Sequence, residues 1–132
     1  MPARTVAVLE ALAGGLAGQR VVVLGAAYRG GVKETAFSGV FATVDSLRAS
    51  GAQVLVHDPL YSDEELAALG FQAYHVGEPV DAAVVQADHA EYRTLSAADL
   101  PGIRVLVDGR GLTDPALWAG VTRHVLGRGT AR

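Results

Sequence analysis

The chain has 132 residues, 50% of them hydrophobic and 19% charged, and its net charge is −3. That is the composition of a soluble globular domain with its own core, and it gives no sign of a nucleic-acid surface. The absence of cysteine excludes disulfides, zinc–thiolate sites and a thiol nucleophile, and no apolar run approaches the roughly 18 residues a membrane span needs.

Arg4 followed by VAVLEALAGGLAG loosely imitates an export signal. Glu10 interrupts the apolar part, however, and no clear cleavage site precedes the next strand. The expectation is a cytoplasmic protein that opens on a helix. Val6, Leu9 and Ala13 share one face of that helix, and Gly14 and Gly15 fray its end.

Val21 to Leu24 is the first predicted strand, and it breaks at Gly25. A loop with Tyr28, Arg29, Gly30 and Gly31 follows, and a helical pattern resumes near Ser38. Val40, Phe41, Val44 and Leu47 mark one face of this helix, and Gly51 ends it. Strand, glycine turn and helix form the first unit of a nucleotide-binding α/β fold. The loop is not the usual G-x-G-x-x-G, because Ala27 stands where the second glycine would fall.

Gln53 to His57 is a second strand, closed by Asp58 and Pro59. Ser62-Asp63-Glu64-Glu65 has the form of a capping box, with Leu66 and Leu69 following before Gly70. Phe71 to Tyr74 reads as a short third strand and Asp81 to Gln86 as a fourth. Ser96 to Leu100 is one helical turn, stopped by Pro101. Arg104 to Val107 is a fifth strand, ending in Asp108-Gly109-Arg110-Gly111. Asp114 to Trp118 is a short helix with Pro115 at its first position, and Leu117 and Trp118 read as core. Val121 to Leu126 is a sixth, edge strand, and Gly127 to Arg132 a loose tail.

Short, continuously apolar strands separated by helices predict a parallel sheet covered on both faces. The expected fold is α/β: a Rossmann-like doubly wound sheet of five to six strands in three α/β/α layers. Ligands bind such sheets at the carboxyl ends of the strands. Tyr28 and Arg29, His57 and Asp58, Asp88 and His89, and Asp108 and Arg110 all fall on that rim.

Each group has more than one reading. Gly25, Gly30 and Gly31 either permit a tight turn or let backbone N–H groups cradle a phosphate. Arg29 is a phosphate partner or a solvated loop arginine. His57 with Asp58 is a base with its orienter, or a strand end at which Asp58 bonds backbone before Pro59. Asp88, His89 and His57 invite a metal reading that no helical spacing or carboxylate cluster supports. Gly109 allows a bend that aims Arg110 over the sheet, where its fork suits a pyrophosphate or sugar hydroxyls. The alternative is a turn with an exposed arginine.

Taken together, VVVLGAAYRGGVKETAFSG, VLVHDPLYS, DAAVVQADHAEYR and VLVDGRGLTDPALW resemble the C-terminal, UDP-binding domain of the UDP-glucose/GDP-mannose dehydrogenase family. The resemblance implies three stretches: 1–17, a helical lead-in from a preceding central domain; 18–127, the nucleotide-sugar-binding domain; and 128–132, a tail. It implies a full enzyme with an N-terminal NAD-binding domain and a central helical domain, and a homo-oligomer. That enzyme oxidises a nucleotide sugar twice at C6 with NAD, alcohol to carboxylate. Tyr28 and Arg29 match the family's aromatic–lysine pair at the UDP-sugar site, and Arg110 matches its arginine after Asp-Gly. Asp58 with Pro59, and Asp108 with Gly109, are implied to be structural turns. The family's catalytic cysteine and NAD fingerprint have no counterpart here. The resemblance therefore implies no catalytic residue, no metal and no NAD bound by this domain.

One departure stands out. Glu34-Thr35-Ala36-Phe37-Ser38 replaces a frequent Asp-x-Arg-Glu-Ser, with Ala36 and Phe37 in place of Arg and Glu. Any ion pairing of that loop with a neighbouring domain, and the identity of the sugar, are open for that reason. Uridine and guanosine are both open as the base. A stand-alone nucleotide-sensing module without chemistry, and a small NAD-binding domain, are the competing readings.

Overall fold

The computed structural model describes residues 2–27, 31, 33 and 39–126. Its centre is a five-stranded sheet with every neighbouring pair parallel. The strands are β1 (Arg20–Leu24), β2 (Gln53–His57), β3 (Ala82–Val85), β4 (Val105–Asp108) and β5 (Thr122–Val125). Their order across the sheet is β2-β1-β3-β4-β5. All four residues of β3 and of β4 are buried, which is why these strands read as unbroken apolar runs.

Side-chain alternation divides the interior into two cores. Val21, Val23, Val54, Val56, Val84 and Val107 face the first. Helix α1 (Pro2–Ala13) adds Val6 and Leu9 to it, and α2 (Val40–Ala49) adds Val40, Val44 and Leu47. Val22, Leu24, Leu55, Val85 and Leu106 face the second core. This side is closed largely by three 3-10 turns, Ala90–Arg93, Ala97–Asp99 and Pro115–Trp118, through Tyr92, Leu100 and Trp118. The doubly wound three-layer reading holds, with one outer layer built of 3-10 turns in place of longer α-helices.

Several local expectations resolve in physical detail. Ser62 caps α3 (Asp63–Ala68) in a reciprocal capping box with Glu65. Gly51 follows the cap of α2 at φ +89, and Pro115 opens the last 3-10 turn. Gly14 and Gly15 close α1 rather than fray it: both have positive φ, and Gly15 N–H reaches back to Glu10 C=O at 3.0 Å. Leu9 of α1 is fully buried, so this helix belongs to the packing unit.

One predicted strand is corrected. Phe71 to Tyr74 makes only an isolated parallel bridge, Ala73 opposite Val56. The segment touches β2 through two backbone hydrogen bonds, from Val56 N–H to Gln72 C=O and from Tyr74 N–H to Val56 C=O. It then turns away, held by the Tyr74 hydroxyl on Glu78 C=O. The last segment does form a strand, β5, at the sheet edge beside β4.

The strand order reverses at β1. The chain leaves β1 for β2 on one side, and β3 joins on the other. A crevice for a ligand is therefore expected outside the carboxyl ends of β1 and β3.

Candidate functional site

Gly25 sets the spacing at this switch point. Its φ is +110, and a Cβ there would lie 2.5 Å from Ala87 Cβ and 2.7 Å from Ala87 N. Only a hydrogen fits, so the chain leaving β1 runs directly against the chain leaving β3.

Asp58, at the end of β2, is 4% exposed, and both its oxygens are occupied. Oδ2 accepts from Ala26 N–H at 2.8 Å and Ala27 N–H at 3.0 Å. It also lies 2.8 Å from His89 Nε2, while Oδ1 accepts from Leu60 N–H at 2.8 Å. The other nitrogen of His89, Nδ1, lies 3.1 Å from Gly31 N. The amides of Gly25, Ala26, Ala27 and Gly31 thus all have protein partners, that of Gly25 being His57 C=O at 2.7 Å. Of the two readings of the glycine loop, a phosphate cradle is not offered by these four amides. An internal carboxylate and an internal imidazole hold them.

Of the two readings of His57 and Asp58, the strand end at which Asp58 bonds backbone is the one found, through the amides of Leu60, Ala26 and Ala27. The histidine bonded to Asp58 is His89, which follows β3, 31 residues along the chain. His57 Nδ1 instead lies 2.9 Å from the Tyr92 hydroxyl, which also reaches His57 C=O at 3.2 Å. Burial pushes the His57 imidazole below its ordinary value, against the opposing pull of Asp58. Burial likewise pushes the Tyr92 phenol far above its ordinary value. Among the described residues no group of three or more His, Cys, Asp and Glu could hold a metal.

Asp108 ends β4 and is fully buried. Its Oδ1 accepts from Arg110 N–H and Gly111 N–H, each at 2.9 Å. Its Oδ2 accepts from Leu112 N–H and Thr113 N–H at 2.8 Å and from the Thr113 hydroxyl at 2.7 Å. Burial alone would raise this carboxyl. Hydrogen bonds from Thr113, Arg110 and Leu112 outweigh it and hold the group below the usual carboxylate value. Gly109 is required by closeness rather than by φ, since a Cβ there would lie 2.8 Å from Val85 C=O.

This turn delivers Arg110 to the rim. Its Nη2 lies 3.5 Å from Asp88 Oδ2, with the two side chains 35% and 43% exposed. Adjacent residues after β3 therefore serve opposite neighbours, Asp88 toward β4 and His89 toward β2. Tyr28, Arg29 and Gly30 lie outside the described residues, as do Ala36 and Phe37. The structure thus brings Gly25, Gly31, Asp58, His89, Asp108 and Arg110 to one end of the sheet. The Asp58–His89 contact was missed from sequence because nothing local links positions so far apart.

A doubly wound sheet with a glycine loop at its switch point is the architecture of nucleotide-binding α/β domains. The chain belongs to the UDP-glucose/GDP-mannose dehydrogenase family, matching its UDP binding domain over residues 22–115. No curated protein matches the chain. Among solved structures it is similar to a UDP-glucose dehydrogenase from the hyperthermophilic archaeon Pyrobaculum islandicum. That likeness has 25% identity and a TM-score of 0.76, covering 93% of this chain and 28% of the other. It is also similar in fold to the UDP-N-acetyl-mannosamine dehydrogenase of S. aureus, at 21% identity and a TM-score of 0.75, covering 94% of this chain and 29% of the other. The chain therefore spans under a third of the length of these two enzymes. Among the described residues no helix is long and apolar enough to cross a membrane.

Proposed function

We propose that this chain binds the UDP moiety of a nucleotide sugar and serves as the C-terminal domain of an NAD-dependent nucleotide-sugar 6-dehydrogenase. Arg110 carries the reading. It stands on the ligand rim, its backbone N–H held by the Asp108 carboxylate, and its guanidinium reaches the partly exposed carboxylate of Asp88. A diphosphate can replace Asp88 as its partner, because an exposed ion pair is worth about 0–1 kcal/mol and a charge-assisted contact to phosphate more. Tyr28 and Arg29 belong to the same proposed site on the strength of the family pattern alone. The 1–17 segment leads in from the central domain, 18–127 binds the nucleotide and 128–132 is a tail. The full enzyme is a homo-oligomer working in the cytoplasm.

The residues present do not fit NAD. In dinucleotide-binding sheets an acidic residue near the end of β2 takes the ribose hydroxyls, and loop amides face the pyrophosphate. Here both oxygens of Asp58 are consumed internally, and so are the amides of Ala26 and Ala27. No hydride step is assigned to this domain. A nucleotide-sensing module without chemistry would use the same rim.

The test pairs binding with stability. Arg110→Ala should weaken UDP binding about tenfold or more, since a charge-assisted phosphate contact contributes about 1.5–3 kcal/mol. Arg110→Lys should recover part of it, keeping the charge and losing the fork. Unchanged affinity for UDP with a large fall in Tm would make Arg110 structural and remove the reading.

A further inference from the structure

Arg123 is half-buried on the edge strand β5, and its side chain crosses to the turn after β4. There it grips one residue twice. Nε donates to the Thr113 hydroxyl and Nη2 to Thr113 C=O, each at 2.8 Å. The donor roles in this chain of contacts are fixed. A guanidinium can only donate, and the Asp108 carboxylate, kept ionised by its hydrogen bonds, can only accept. The single proton of the Thr113 hydroxyl therefore goes to Asp108 Oδ2, at 2.7 Å, and a lone pair of the same oxygen receives Arg123.

The other end of this chain of contacts is Arg110. It stands between Gly109 and Gly111, so neither neighbour has a side chain that could anchor the backbone by packing, and Gly111 has φ +69. Hydrogen bonds hold the stretch instead. Asp108 Oδ1 takes the amides of Arg110 and Gly111, and Oδ2 takes those of Leu112 and Thr113 together with the Thr113 hydroxyl. The turn that aims Arg110 thus closes on one carboxylate, and Arg123 fastens its far side to the sheet edge.

We infer that Arg123 is a positioning residue for nucleotide binding: through Thr113 and Asp108 it holds the turn that carries Arg110, so that the Arg110 guanidinium stands on the rim before a diphosphate arrives. Arg123 itself touches no ligand. It limits the freedom that Arg110 has to give up on binding, and such ordering is a cost to affinity. The inference rests on the proposed UDP site for its consequence, but not for its geometry.

In the full chain, Arg123→Ala removes both contacts to Thr113. The Gly111 amide should then exchange about tenfold faster. UDP affinity should fall about two- to tenfold, less than in Arg110→Ala, since the Arg110 guanidinium remains and only its placement is lost. Arg123→Lys keeps the charge and one donor, loses the fork, and should recover part of both effects. A double-mutant cycle separates positioning from a merely structural role. If Arg123 acts through Arg110, adding Arg123→Ala to Arg110→Ala should weaken UDP binding no further.

An unchanged Gly111 exchange rate or an unchanged UDP affinity in Arg123→Ala would overturn the inference. So would a fall in UDP affinity of the same size with Arg110 already removed, because Arg123 would then act on the ligand or on the whole fold. If Arg123→Ala does not fold, the same cycle with Arg123→Lys decides. If the unmodified chain binds no UDP, the proposed function fails, and the Gly111 exchange comparison alone decides whether Arg123 holds the turn.

Discussion

Thr113 gives Asp108 two hydrogen bonds, one from its backbone N–H at 2.8 Å and one from its hydroxyl at 2.7 Å. With the amides of Arg110, Gly111 and Leu112 they fold the turn after β4 around one buried carboxylate. Asp108→Ala leaves these donors without their acceptor. A buried donor so abandoned costs about 1–3 kcal/mol, so the total loss should be on the order of 3 kcal/mol or more, read from the midpoint of urea unfolding. A loss under about 1 kcal/mol would mean that water replaces the carboxylate.

The same carboxylate gives an acid dependence. Its folded value lies below the ordinary one, so its contribution is present above about pH 4 and is lost as pH falls through the folded value. Denaturation scans from pH 5 down to 2 should show stability declining, and Asp108→Asn should flatten part of that decline.

His75 gives a dependence of the opposite sign. Its Nε2 lies 2.7 Å from Asp63 Oδ2 and its Nδ1 2.7 Å from Glu78 Oε2. Asp63 first, and then Glu78, raise its imidazole above the ordinary value. The contribution is therefore full below about pH 6.5 and lost as pH rises through the folded value. Proton NMR should find His75 titrating above a free imidazole, and Asp63→Asn should bring it down. Titration at or below the free value would show the pair to be absent in solution.

Glycine substitutions separate space from backbone strain. Gly25→Ala meets both, a positive φ and a Cβ 2.5 Å from Ala87 Cβ, and should cost about 2–4 kcal/mol. Gly31→Ala meets positive φ alone and should cost about 1–2 kcal/mol. Thermal unfolding of the two variants ranks them, and a Gly31 variant less stable than the Gly25 variant would contradict the packing at the switch point.

Most of the fold was legible because its signals are local. Unbroken apolar runs gave β1 to β4, the Ser62–Glu65 spacing gave α3, and Pro115 gave the last 3-10 turn. Phe71 to Tyr74 misled because a short apolar stretch has the composition of a strand whether it pairs over four residues or at a single bridge. The rim was legible from topology, since each polar pair follows a strand. The partnership inside it was not. His57 and Asp58 are neighbours in sequence, but alternate residues of an extended strand point to opposite faces, so adjacency argued against contact. The true partner, His89, reaches Asp58 because β1 separates β2 from β3 by one strand. That Asp58 would take the amides of Ala26 and Ala27 was not legible either, because a glycine loop does not reveal which carboxylate will reach it.

The central claim is that this sheet receives a UDP moiety and not a dinucleotide. Amide NMR of the chain titrated separately with UDP and with NAD tests it most directly. The account predicts shifts at Gly109 to Gly111 and in the loop from Gly25 to Gly31 with UDP, at an affinity that is only millimolar, about −4 kcal/mol, as follows from the proposal that other domains complete the site. NAD should shift these signals only at higher concentration, or not at all. NAD shifting the same amides at lower concentration than UDP would contradict the account.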